Sequence, residues 1–211
     1  MISTENPNSL PNRIKLQTIC RAISVLDAIL EQEWEFRYHS YNKEWADDEE
    51  FFEMRNGSGD HLLILFKKEA CVINGFAHEF PQPDKHKLTK DLPTTFDEFI
   101  FGEPVSMVGT TFCIWTTDHK NWQIGQIESH SDHSSEMLNI FDGQPQTYIN
   151  WATDYFEGSY ARGGIPLETV TQIYNGQTLT KEMVLTIVKE LQDWELLESD
   201  LIEIGYPYDF E

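Results

Sequence analysis

The chain has 211 residues, 40% hydrophobic and 13% aromatic, and its 36 acidic residues against 15 lysines and arginines give a formal charge of −21. That hydrophobic and aromatic content argues against wholesale disorder, and the shortage of cations argues against nucleic acid or an anionic membrane as a direct partner. The longest purely apolar run, residues 62–66, is far short of the roughly 20 residues that cross a bilayer.

Residues 1–11 read as a polar, disordered lead-in. Pro11 suits the first turn of a helix, where a missing N–H is no loss. Leu16, Ile19, Cys20, Ile23, Leu26, Ile29 and Leu30 recur at steps of three and four, which predicts an amphipathic helix over 12–33. The period then changes. Trp34, Phe36 and Tyr38 alternate with Glu35, Arg37 and His39, the pattern of a half-buried strand. An acidic turn over 44–50 leads to a strand starting at Phe51, and "RNGSGD" reads as the next hairpin turn, its Asn56-Gly57 pair suiting positive φ. That loop lacks the Gly-Lys-Ser/Thr ending of a phosphate loop and opens no helix. "HLLILFKK" and "CVINGFAHEF" predict two more strands, and the Pro- and Lys-rich stretch 81–93 a linker or excursion.

A short helix is expected to end near Gly102, followed by a second hairpin over 110–128. Beyond residue 131 the pattern is helical: a short turn at "MLNIF", a helix from Pro145 to a Gly158 stop, another from Pro166 to Gly176, and a last one over 180–198 whose stripe includes Met183, Ile187, Leu191 and Trp194. Helix, antiparallel strands, then helices predicts an α+β fold: an N-terminal helix, a meander of five or six strands and C-terminal helices. The expected organisation is one domain over 12–211, divisible into a helix-plus-sheet part, 12–128, and a helical part, 129–211.

Cys20, Cys71 and Cys113 sit in apolar surroundings at no framework spacing. They read as reduced, buried thiols of a cytoplasmic protein, and no neighbouring base marks any of them as a nucleophile. The N-terminus has neither the basic nor the apolar region of a signal peptide.

The densest group of ligand-type side chains is "IESHSDHSSEML", with His130, Asp132, His133 and Glu136. A metal reading takes His130, His133 and Glu136, with His78 from "GFAHEF" as a further ligand across the sheet. The spacing is not that of the helical metalloproteases, whose two histidines are four apart. The other reading makes Ser131 or Asp132 a helix N-cap, with His133 on the stripe of Met137 and Ile140. A second candidate is Trp45 beside Asp47, Asp48, Glu49 and Glu50: an aromatic anchor ringed by carboxylates suits an interface for a basic partner.

The segments "RIKLQTICRAISVLDAILEQEWEFRYHSYNKEW", "EMRNGSGDHLLILF", "GFAHEF" and "TTFCIWTTDHKNWQIG" resemble an uncharacterised bacterial protein family of hypothetical proteins, and the resemblance implies no activity. In overall style, an acidic α+β chain with "DLPTTFDEFIFG" after a meander also looks like bacterial toxin-immunity superfamilies. The acidity is concentrated late: residues 1–120 hold 20 acids and 12 bases, residues 121–211 hold 16 and 3. A one-sign surface speeds encounter with the opposite sign. The first functional expectation is therefore a non-enzymatic, immunity-type or regulatory module that binds a basic protein and needs no cofactor. The alternative is a small metal-dependent hydrolase using His130, His133 and Glu136. A third is a self-associating homo-oligomer.

Overall fold

The computed structural model describes residues 1–127 and 131–211. The architecture is the α+β arrangement expected from the sequence. Helix α1 spans Arg13–Leu30, and its N-cap Asn12 accepts the N–H of Lys15 through its side chain. From Ala22 to Leu30 every residue is buried, so the C-terminal half of α1 is a central element and not a surface amphipath.

The strand predicted to begin at Trp34 begins five residues later, at His39. Trp34–Phe36 form a 3-10 turn and β1 is His39–Ala46. The reason is Arg37, whose buried guanidinium turns inward to the carbonyls of Glu31 and Gln32 and delays the start of the ladder. Strand β2 is Glu49–Arg55, so the acidic turn shrinks to Asp47 and Asp48, with Asp48 at φ 60°. The β2–β3 loop is a hairpin, as expected, in which the Asn56 side chain accepts the N–H groups of Ser58 and Asp60. Strands β3, His61–Lys67, and β4, Cys71–Phe76, follow.

The excursion between β4 and β5 carries α2, Lys85–Leu88; a 3-10 turn, Thr94–Phe96, running into α3, Asp97–Phe101; and α4, Val105–Val108. Strands β5, Phe112–Thr116, and β6, Gln123–Ile124, complete a six-stranded antiparallel meander in sequential order.

One row of the sheet aligns Phe52, Ile64, Ile73 and Ile114 against the α1 side. The alternate row, Phe51, Leu65, Val72 and Trp115, packs under Phe96, Phe99, Ile100 and Val105 of the excursion. Burial on both faces explains why "LLILF" shows no alternation. Gly75 is needed for this packing, because a Cβ there would lie 2.1 Å from the ring of buried Phe112. Gly75→Ala should lower stability by about 1–3 kcal/mol through overpacking, read as a lower urea midpoint at unchanged slope.

The C-terminal part holds α5, Ser134–Leu138; α6, Pro145–Tyr155; α7, Leu167–Tyr174; α8, Lys181–Ile187; and α9, Trp194–Ile204. The single helix predicted over 180–198 is thus two. Val188 is extended, the Gln32 side chain accepts the N–H groups of Gln192 and Asp193, and Asp193 caps α9 by accepting from Leu196. Two short strands, β7, Leu179–Thr180, and β8, Tyr208–Asp209, pair in parallel near the chain end. Residues 1–11 are packed, contrary to the disordered lead-in expected. Ile2 and Leu10 are buried, and Thr4 donates its N–H to Ser134 Oγ at 3.1 Å and its hydroxyl to Asp132 at 2.6 Å. Among the described residues no helix is long and apolar enough to cross a membrane.

Candidate functional site

The histidine-rich cluster lies at the start of α5 and in the segment before it. His130 lies outside the described residues. Asp132 is buried and its Oδ1 accepts from both the N–H and the hydroxyl of Ser134, while Oδ2 takes the Thr4 hydroxyl. It is therefore a clasp between the N-terminal segment and α5 as well as a helix-start acceptor. His133 is left-handed at φ 64° and precedes α5; it does not continue the helical stripe. Its ring stacks on Phe80 with centroids 5.2 Å apart, and its Nδ1 lies 3.5 Å from Glu136. Hydrogen bonding from the Ser135 hydroxyl, with His133 nearby, holds the exposed Glu136 carboxyl below its ordinary pKa.

His78 pairs instead with Asp60, Nδ1 to Oδ1 at 2.8 Å, and its N–H donates to the same oxygen. Burial alone would raise the Asp60 pKa. The two His78 hydrogen bonds, helped by the charge of His78 and of His133, more than offset burial, and the carboxyl sits below its ordinary value. Among the described residues no three histidines, cysteines or carboxylates come together in a way that could hold a metal ion.

At the β1–β2 tip the five predicted interface residues divide. Glu49 is tied to Lys67 at 2.6 Å, and Glu50 accepts from Arg21 and from the Tyr41 hydroxyl. Those two acids are half-buried and internally matched. Trp45, Asp47 and Asp48 are exposed. Trp45 keeps 43% of its surface exposed while stacking on Phe51, centroids 4.4 Å apart. It borders a groove of about 380 Å³ shared with Asp47, Phe99, Glu98 and Glu103, the last two contributed by the excursion. Glu98 and Glu103 are exposed and were not singled out from sequence, where they lie some fifty residues from Trp45.

A different constellation lies in the core. Asp27 of α1 is fully buried, and its Oδ2 accepts from the main-chain N–H of His39 at 2.8 Å and faces His39 Nδ1 at 3.0 Å. Its Oδ1 takes the hydroxyl of Tyr148 at 2.7 Å. A carboxylate only accepts, so Nδ1 carries the proton, and in the neutral ring Nε2 is left as an acceptor. Among the described residues the His39 ring hydrogen-bonds to Asp27 through Nδ1.

The His39 ring lines a cleft of about 70 Å³ with Met54 and Leu62 of the sheet, Glu136, Met137, Ile140 and Phe141 of α5 and the turn after it, and Trp151 of α6. Tyr38 closes one side, its ring edge-on to Trp151 at 4.8 Å. Burial, with Tyr155 beside it, pushes the Tyr38 phenol up to about 12. Burial and then Asp27 push the Tyr148 phenol upward. Sequence periodicity passes over this set, because Asp27 occupies a stripe position. The available signal was Asp27 itself, the sole charge in residues 22–30.

The three cysteines are free and buried, with burial raising each thiol pKa. Compared with protein-family models, with curated proteins and with solved structures, the chain matches none of them.

Proposed function

We propose that the protein is a binding module, of immunity or regulatory type, that engages a basic protein through the Trp45 groove. The observation that carries this reading is Trp45: an indole 43% exposed at a hairpin tip, backed by Phe51 and rimmed by Asp47, Glu98 and Glu103. Lys67, the cation lining the groove, is already neutralised by Glu49. An arginine or lysine entering there would meet an aromatic face and carboxylates unmatched among the described residues, the two features that favour a cation. The chain's net charge of −21 would add attraction at long range.

Capture from native host extract at low and high salt, with wild type and variants in parallel, tests the proposal. A basic protein should be retained at low ionic strength, released by salt, and bound at least about 30-fold more weakly by Trp45→Ala, the scale of an aromatic hot spot. The double variant Glu98→Lys, Glu103→Lys should slow association without altering the unfolding midpoint. Absence of a basic partner at low salt, or capture indifferent to these changes, rejects the reading.

A further inference from the structure

We propose that the His39 cleft binds a primary ammonium group on a short alkyl chain, whose N–H is donated to Nε2 of His39. Three features define that ligand. The acceptor follows from geometry: Asp27 takes the Nδ1 proton at 3.0 Å, so a neutral ring carries its lone pair at Nε2, and that ring lines the cleft. His39 is 2% exposed, and among the described residues its ring hydrogen-bonds to Asp27 through Nδ1, which leaves Nε2 to take a donor that enters the cleft.

The walls come next. Trp151 and Tyr38 contribute aromatic rings and Met137 and Leu62 apolar surface, a lining that accepts a cation through ring quadrupoles and its carbons through contact. Glu136, at the exposed end, supplies a negative charge that attracts ammonium and repels carboxylates and phosphates. The third feature is size. About 70 Å³ is roughly the share of two waters and well under the ~150 Å³ that admits benzene, so a group of two or three heavy atoms is the fit. The site is separate from the Trp45 groove, and neither depends on the other.

The test is titration of the intact protein, labelled with 15N in its histidine rings, at about pH 8.5, above the ordinary imidazole range. The probes are ethylammonium, ethanol and acetate, with Nα-acetyl-lysine-methylamide to tell a free amine from a lysine side chain. Ethylammonium should shift the His39 Nε2 resonance saturably, ethanol should bind at least about tenfold more weakly for want of a charge-assisted hydrogen bond, and acetate should leave the resonance unmoved. Saturable shifts with the lysine derivative as well would assign the site to a side chain; shifts with ethylammonium alone would assign it to a free amine.

Ile140 is only half-buried, so Ile140→Trp should close the mouth and abolish the shift while the fold persists. Glu136→Gln should weaken ethylammonium and spare ethanol, and Trp45→Ala should change nothing. An unmoved His39 resonance with both amines overturns the proposal, as does equal binding of ethylammonium and ethanol or binding unaffected by Ile140→Trp.

Discussion

Asp27→Ala should remove about 3–5 kcal/mol of unfolding free energy, the scale expected when a buried acceptor shared by several donors is deleted. The substitution takes away the acceptor of three groups at once: the His39 N–H, the His39 ring and the Tyr148 hydroxyl. Each donor left without a partner in a dry site costs about 1–3 kcal/mol, and α1 offers no water there, since residues 22–30 are all buried. Tyr148→Phe removes one hydrogen bond and its donor together, so it should cost only about 1 kcal/mol. Asp27→Asn should fall between, because it keeps the volume but presents donors to donors on one side. Urea unfolding of the three variants gives the ranking. An Asp27→Ala protein within about 1 kcal/mol of wild type would show that the network contributes little. Against a total stability of about 5–15 kcal/mol for an ordinary domain, the expected loss is large.

The second large effect is expected at Arg37. Arg37 is 5% exposed, and its guanidinium donates to the carbonyls of Glu31 at 2.7 Å and Gln32 at 2.8 Å and to the Asp200 carboxylate at 2.6 Å. This one side chain joins the end of α1, the start of β1 and the middle of α9. Arg37→Ala should cost about 3–5 kcal/mol, since it leaves Asp200 as an unpaired charge with 13% of its side chain exposed. Replacing both partners by apolar residues, Arg37→Met with Asp200→Leu, should recover most of that loss, because no desolvated charge remains. A double-mutant cycle measures the coupling. If the pair of apolar substitutions is no better than Arg37→Ala alone, the two orphaned carbonyls, and not the ion pair, dominate.

These two sites mark where the sequence ceases to be readable. The meander is legible because its first two turns place Asp48, Gly57 and Gly59 where φ is positive, and because its central strands are short apolar runs. The location of α1 is equally plain from its three-and-four spacing, whereas the complete burial of residues 22–30 is not. That depends on α9, which begins at an Asp193 cap inside what periodicity presents as one continuous helix. Arg37 and His39 look like outward members of an alternating strand. They point inward because distant partners, Asp200 and Asp27, await them, and no local pattern records such a pairing.

At the candidate groove, Trp45, Asp47 and Asp48 are visible from composition. Glu49 and Glu50 look identical to them until the register of β2 sets each beside a cation. Glu98 and Glu103 reach the groove only through the fold of the excursion.

The meander also determines how another polypeptide can approach. Its two outermost strands are β1 and β6. The first breaks register between Asn42 and Ala46 and carries the charged Lys43 and Glu44 on its exposed stretch. The last is two residues long. A bulged, charged edge and a truncated one are poor templates for main-chain hydrogen bonding by an added strand. The sheet is thereby guarded against edge-to-edge aggregation, and an incoming chain is steered toward side-chain recognition and away from β-augmentation.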